Sequence, residues 1–176
     1  ETWVETVERY ISFMRENVGD KLTGKEYEEI RESMLYMRSM GSMRLLWSAG
    51  PAARRSNVCA YNCSFIAPSV WRDFGEIMYI SMCGTGLGFS VEQQTVGLLP
   101  MIERQSGKKL PAHVIPDSKE GWADSLVHGM ETWSKGLDVD FDYSQIRPAG
   151  ARLSVMGGRA SGPEPLRRLL AFTKER

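Results

Sequence analysis

The chain has few of the residues that build disulfide scaffolds or metal centres: three cysteines and two histidines among 176 residues. An odd, low cysteine count does not predict a disulfide framework. The cysteines and histidines also match none of the usual zinc-ligand spacings, so no metal site is predicted. No Cys-x-x-Cys pair is present, so a redox partner for any one thiol has to lie elsewhere.

The chain also lacks an excess of either charge and lacks long apolar runs. Its 22 basic and 22 acidic residues give a formal net charge of zero, which argues against nonspecific binding to nucleic acid or to an anionic membrane. No apolar run approaches the roughly 18–20 residues that span a bilayer. The first residues are acidic and helical in pattern rather than those of a signal peptide. We therefore expect a cytoplasmic protein.

The length of 176 residues suffices for one domain with a sizeable core. The chain starts without a methionine and ends inside a helical pattern at residues 173–176. We expect it to be truncated at both ends.

Two amphipathic helices are predicted at the start, over residues 2–18 and 24–40. Each has a threonine followed three residues later by a glutamate, the pattern of a capping box. Gly41 is expected to end the second helix. We predict a helical hairpin over residues 1–41, followed by a second domain over residues 42–176.

The second domain alternates strand and helix patterns, which predicts α/β packing. Residues 43–50 fit a strand or a buried turn. The remaining expectations are a loop at 51–57, a strand within 58–67, a helix from an N-cap at Ser69 through Cys83, a strand at 87–92, a strand at 114–115, a helix capped by Asp117 with Glu120, a strand at 139–143 and a helix from 166.

Cys63 lies in the middle of the β-type run Tyr61-Asn62-Cys63-Ser64-Phe65. A cysteine in such a run is most often a small buried hydrophobic residue. The alternative is a redox thiol, which needs a second thiol close enough to form a disulfide. Cys59 lies on the same strand face by parity but too far away for an easy bridge, so we expect it to pack, as we expect of Cys83.

A glycine turn, residues 84–88, has the sequence Gly-Thr-Gly-Leu-Gly between a predicted helix and a predicted strand. Glycine permits positive φ and lets a ligand approach the backbone closely. The order is the reverse of a dinucleotide-binding turn, and no P-loop lysine follows. The turn is either a helix C-cap that leads into a strand or a surface for a base or ribose.

An arginine loop, residues 147–163, carries Arg147, Arg152 and Arg159 among glycines and prolines. It is either a solvated loop or one that rearranges around an anionic nucleotide, to which arginine would donate hydrogen bonds. The alternating Asp138, Asp140 and Asp142 fit a solvated strand face better than a metal site. No chemistry is assigned to the two histidines.

Four motifs occur in the order found in adenosylcobalamin-dependent (class II) ribonucleotide reductases, and the chain most resembles the ribonucleoside-triphosphate reductase branch. They are Tyr61-Asn62-Cys63, Cys83-Gly84-Thr85-Gly86, Pro116-Asp117-Ser118-Lys119-Glu120-Gly121-Trp122, and Ile146-Arg147-Pro148-Ala149-Gly150-Ala151-Arg152 with the following Gly157-Gly158-Arg159-Ala160-Ser161-Gly162-Pro163. The resemblance covers most of residues 40–172.

The resemblance implies the first part of a ten-stranded α/β barrel, with Cys63 as a redox thiol that reduces the ribose 2′ position. It implies substrate contacts at Ser48, Ser64, Gly84, Thr85, Gly86 and Gly88. It implies effector contacts at Arg147, Gly150, Arg152, Gly157, Gly158, Arg159 and Ser161. The helix from Asp117 to Trp133 would frame the effector or a subunit contact.

The resemblance further implies a ribonucleotide substrate, a deoxynucleoside triphosphate effector, a thioredoxin-type reductant and adenosylcobalamin as cofactor. The radical-bearing cysteine, the partner thiol and most cobalamin contacts would lie beyond this chain, which alone would be inactive. Residues 93–146 are too few for a large insertion that mimics a dimer partner, which leaves a homodimer open. The alternatives are a noncatalytic nucleotide-binding regulatory module or one half of a split reductase.

Overall fold

The computed structural model describes residues 1–153 and 157–175, so residues 154–156 of the arginine loop and Arg176 lie outside the described residues. The chain divides into two compact units, Glu1–Asn62 and Cys63–Arg176. The domain boundary after residue 41 stays a prediction.

The first unit begins with the predicted pair of helices, α1 (Trp3–Val18) and α2 (Gly24–Leu35). Both predicted capping boxes are present, formed by Thr2 with Glu5 and by Thr23 with Glu26. The helices pack through a buried cluster of Val7, Ile11 and Met34. The second helix ends before the predicted residue 40, and Met37 follows it with a left-handed φ of 55°.

Two short helices follow, α3 (Met43–Ser48) and α4 (Pro51–Arg55), where we predicted a strand or buried turn and then a loop. Both predictions are wrong. Proline at the first position of α4 already has a helical φ. The Arg9 guanidinium donates to the carbonyls of Leu46 and Ala49, which fixes the end of α3 from α1. Arg9 and Ala49 are 40 residues apart in sequence, so no local sequence pattern indicates the contact.

The second unit opens with a parallel pair of strands, β1 (Cys63–Ile66) and β2 (Gly86–Phe89), joined by helix α5 (Trp71–Met82). The predicted strand over 58–67 starts late because Asn57–Ala60 forms a 3-10 turn. Cys59 is therefore not on the strand that carries Cys63. It is buried, as expected, and its thiol donates to the Ser56 carbonyl.

The remaining elements are one short helix, a second pair of parallel strands and two long helices. They are α6 (Gln93–Val96), β3 (His113–Val114), α7 (Lys119–Ser134), β4 (Phe141–Asp142) and α8 (Glu164–Glu175), with β3 paired to β4. The buried cluster of this unit comprises Ile115, Leu126, Trp133, Ile146, Leu166 and Leu170.

Helices α5 and α7 pack closely in opposite directions. A Cβ added at Gly75 of α5 would lie 2.5 Å from Val127 Cγ2 and 3.3 Å from the Ala123 carbonyl oxygen of α7. Further along, Cys83 after α5 contacts Lys119, the first residue of α7. The absence of a side chain at Gly75 is what permits this approach.

The N-caps of these two helices differ from the predicted ones. Val70, not Ser69, precedes α5, and the Asp73 carboxylate accepts hydrogen bonds from the backbone of Ser69 and Val70. These bonds, chiefly that from Ser69, hold the pKa of Asp73 below its ordinary value. Ser118, not Asp117, caps α7 by accepting from the Gly121 N–H, which leaves Asp117 available for another contact.

The architecture is a mixture of helices with two small parallel sheets, consistent with the predicted α/β class. None of the helices in the described ranges is long and apolar enough to cross a membrane.

Candidate functional site

Cys63 occupies the first position of β1, where its side chain is exposed as a free thiol. Its register partner across the sheet is Gly86 of the glycine turn. The next residue, Ser64, donates through its hydroxyl to the Gly86 carbonyl at 3.4 Å. The structure therefore brings the predicted redox thiol and the predicted substrate turn to one edge of the same sheet, and the thiol is not part of the core.

The glycine turn both ends α5 and exposes backbone. The Cys83 N–H donates to the Tyr79 and Ile80 carbonyls, and Gly84 has a φ of 79°, so the first part of the turn is a helix C-cap. Thr85 is buried, at 4% exposure, whereas Gly84, Gly86 and Gly88 are exposed. The two interpretations of the sequence are compatible: the C-cap orients a stretch of open backbone.

Ser48 lies in the first unit, at the end of α3, and is buried at 1% exposure. Its hydroxyl donates to the Arg44 carbonyl at 2.7 Å. A substrate role for Ser48 stays a prediction.

The arginine loop folds back on itself in the described part. The backbones of Arg152 and Arg159 pair as an isolated antiparallel β-bridge. The Gly150 N–H donates to the Ala160 carbonyl. Gly150, Gly157, Gly158 and Gly162 all have positive φ, between 69° and 87°. A side chain at Gly162 would also meet the Ala149 backbone nitrogen at 2.9 Å.

Three of the predicted effector side chains already have hydrogen-bond partners within the protein. Arg147 donates through Nε to Asp117 Oδ2 at 2.6 Å, and Arg159 donates to the Gly150 carbonyl at 2.9 Å. The Ser161 hydroxyl contacts the Gly162 carbonyl at 3.2 Å. Arg152, Gly157 and Gly158 are exposed. Arg147 thus links the loop to Asp117, two residues before α7 begins.

The three aspartates on the predicted solvated face all have partners within the protein. Asp138 pairs with Lys174 and Asp140 with Lys109, while Asp142 accepts from the Ser144 N–H. The Lys174 ammonium is the main cause of a lowered pKa at Asp138. Among the residues in the described ranges, no three His, Cys, Asp or Glu side chains group as metal ligands.

The histidines, which are well separated in sequence, are in contact. The rings of His113 and His128 lie 4.7 Å apart between centroids, and His113 also meets the Phe141 ring edge-on. The His113 Nε2 atom is buried. Burial, followed by the nearby His128, lowers the pKa of His113, against a smaller opposing effect of Asp124. No sequence pattern indicated this pair.

A further contact that the sequence did not indicate joins α5 to α7. The Lys119 ammonium donates to the Cys83 sulfur at 3.5 Å. Cys83 is fully buried and directly precedes the glycine turn. Lys119 follows Asp117 by two residues.

The comparisons with known proteins agree with the resemblance. Residues 101–174 match the family described as B12-dependent ribonucleotide reductase, insertion domain. This match is at odds with our expectation that the region holds no large insertion. It includes all of the predicted effector residues but not Cys63.

Curated relatives match nearly the whole chain. The adenosylcobalamin-dependent ribonucleoside-triphosphate reductase of Euglena gracilis is 29% identical over 94% of this chain and 25% of its own length. The enzyme of that description from Mycobacterium phage D29, assigned provisionally, is 28% identical over 99% of the chain and 30% of its own length. The chain therefore spans about a quarter to a third of these relatives.

A solved structure has the same fold. The crystal structure of a B12-dependent (class II) ribonucleotide reductase superposes with a TM-score of 0.77 over 99% of this chain and 34% of the other, at 20% identity. The sheet edge and the arginine loop thus belong to a reductase-type α/β fold. The resemblance recognised from the motifs is confirmed: the chain is similar to the N-terminal part of class II ribonucleotide reductases.

Proposed function

We propose that this chain is the first part of an adenosylcobalamin-dependent reductase that converts ribonucleotides to deoxyribonucleotides. The observation that carries the proposal is the exposed Cys63 thiol in register with Gly86 of the open glycine turn. The likeness to a class II reductase over 99% of the chain supports it. The parallel β1–α5–β2 unit would be the beginning of a ten-stranded α/β barrel.

The role proposed for Cys63 is to deliver electrons to the ribose. With a second thiol from outside these residues, it would supply two electrons and two protons, so that the 2′ hydroxyl leaves as water and a disulfide forms. A thioredoxin-type reductant would then restore both thiols. Exposure of Cys63 permits both the approach of substrate and the later exchange.

The exposed glycine turn would lie along the substrate. Gly84, Gly86 and Gly88 carry no side chains that would keep a ribose from the backbone. The Ser64 hydroxyl is near enough to the Gly86 carbonyl to hold that part of the turn in place.

Adenosylcobalamin would supply the radical that starts the reaction. The chain corresponds to only about a quarter to a third of the length of its curated relatives. We therefore assign the cofactor contacts mostly to polypeptide outside this chain.

The arginine loop would bind a deoxynucleoside triphosphate effector. Arg152 and the glycines at 157 and 158 are exposed, and Arg147 lies beside the start of α7. Guanidinium groups bind phosphate through charge-assisted hydrogen bonds. The effector would choose the base that is reduced, and α7 would contribute to this site or to a homodimer contact.

The test uses the complete reductase polypeptide that contains this chain. We expect deoxynucleoside triphosphates to bind and to change which ribonucleotide is reduced in the presence of adenosylcobalamin. Reduction should stop when adenosylcobalamin is omitted. Binding of the deoxynucleotides with no reduction, although the downstream thiols are intact, would instead favour a noncatalytic regulatory module.

A further inference from the structure

The predicted effector loop and the predicted substrate turn are linked by a short run of contacts inside the second unit. Arg147 of the loop donates to Asp117 at 2.6 Å, and two residues later Lys119 donates to the Cys83 sulfur at 3.5 Å. Cys83 is covalently joined to Gly84, the first residue of the glycine turn. Two side-chain contacts and one short segment therefore connect the two regions.

The second contact, between Lys119 and Cys83, is partly buried. Cys83 is fully buried, and Lys119 is partly buried at the first position of α7. Partial burial removes some of the water around the Lys119 ammonium, and the Cys83 sulfur, a weak acceptor, replaces part of that hydration. Cys83 is also the residue whose N–H closes α5. A displacement of Lys119 would consequently act on the end of α5 and on Gly84.

The helices around this contact leave little freedom for independent movement. Gly75 of α5 lies directly against Ala123 and Val127 of α7, with no space for a side chain. Close-packed helices transmit small displacements because their interfaces do not deform continuously. Movement at the start of α7 should thus be felt at the end of α5, where the Lys119–Cys83 contact lies.

We propose that Lys119 is a positioning residue that couples effector binding to substrate choice through Cys83. The inference rests on the proposed function. An effector that takes the Arg147 guanidinium from Asp117 would release the Asp117–Lys119 segment, and the Lys119 ammonium would carry this change to Cys83 and the glycine turn. Lys119 touches neither substrate nor effector in this scheme.

The test compares the ratio of kcat/KM for two ribonucleotides with and without effector, in the complete reductase. Lys119→Met should reduce the effector-induced change in this ratio by about fivefold or more, within the usual range of allosteric coupling. Lys119→Arg, which keeps a cationic donor, should retain the response. Lys135→Met, at the exposed far end of α7, is the matched control and should behave as wild type.

A double-mutant cycle identifies the route. If Lys119 acts through the sulfur, Cys83→Ala should also weaken the response, and adding it to Lys119→Met should cause no further loss. Because the measured quantity is a ratio between substrates, partial loss of folded enzyme does not change it. If Lys119→Met fails to fold, Cys83→Ala and Lys119→Arg decide the question by the same ratio.

The outcomes separate the two proposals. A full effector response in both Lys119→Met and Cys83→Ala would overturn the coupling role and leave the proposed function intact. Equal loss in Lys135→Met would also overturn it, since the effect would then belong to α7 in general. A wild-type enzyme with no ribonucleotide reduction would refute the proposed function itself.

Discussion

Gly75→Ala is a direct probe of the packing of α5 on α7. The new Cβ would lie 2.5 Å from Val127 Cγ2, which is far inside contact distance. Valine in a helix has one strongly preferred rotamer, so its methyl group cannot swing aside. The substitution gains about 1 kcal/mol of helix propensity and costs about 1–3 kcal/mol through overpacking. We expect a net loss of about 0–2 kcal/mol in the stability of the second unit.

The sign of the effect should depend on Val127. In a Val127→Ala background the methyl group is absent, and only the Ala123 carbonyl remains near the new Cβ, at 3.3 Å. Gly75→Ala should then be neutral or stabilising by up to about 1 kcal/mol. Gly24→Ala in α2, where a Cβ meets nothing within 4 Å, is the control and should not destabilise.

Hydrogen exchange of the α5 and α7 amides is the appropriate assay because it reports the opening free energy of this unit separately from the first one. If Gly75→Ala raised that free energy by about 1 kcal/mol with Val127 present, the close approach would not exist. Coupled movement of α5 and α7 would then have no structural basis.

Two other predictions concern the same unit. Leu166→Ala removes a side chain that is 1% exposed and should lower the free energy of unfolding, measured by hydrogen exchange, by about 2–5 kcal/mol. Leu169, on the same helix, is 37% exposed, so Leu169→Ala should cost far less. Equal losses would contradict the assignment of the buried face of α8. Because burial lowers the pKa of His113 below its ordinary 6.5, the unfolded chain binds more protons, and stability should fall as pH drops below about 6.5. His113→Gln should flatten that dependence below about pH 6.5, and an unchanged slope there would refute it.

Local chemistry explains which elements could be predicted. The capping boxes at Thr2 and Thr23 involve residues three positions apart, and both formed as expected. The strand carrying Cys63 and the turn after Cys83 were also indicated by short patterns. These features depend on neighbouring residues, and the sequence alone contains them.

The features that were missed depend on distant residues. Arg9 of α1 donates to a carbonyl of the short helix α3 and holds it in place. Arg147 pairs with Asp117, thirty positions away, so Ser118 rather than Asp117 caps α7. The Lys119–Cys83 contact and the histidine pair arise only when α7 packs on its neighbours. No periodicity or motif records such pairs.

The candidate site was predicted in composition but not in arrangement. The resemblance supplied Cys63, the glycine turn and the arginine loop as separate segments. The structure adds that Cys63 is exposed in register with Gly86 and that Arg147 is held by Asp117. No sequence pattern indicated the two contacts that lie between the loop and the turn, Arg147 with Asp117 and Lys119 with Cys83.

The measurement that tests the central claim most directly is thioredoxin-coupled turnover by Cys63→Ser in the complete reductase. Multiple turnover should be lost, because serine cannot be oxidised to the disulfide whose formation releases the two electrons. Cys59→Ser, which changes a buried thiol whose partner is the Ser56 carbonyl, is the control and should keep turning over. Sustained thioredoxin-coupled turnover by Cys63→Ser would contradict the account.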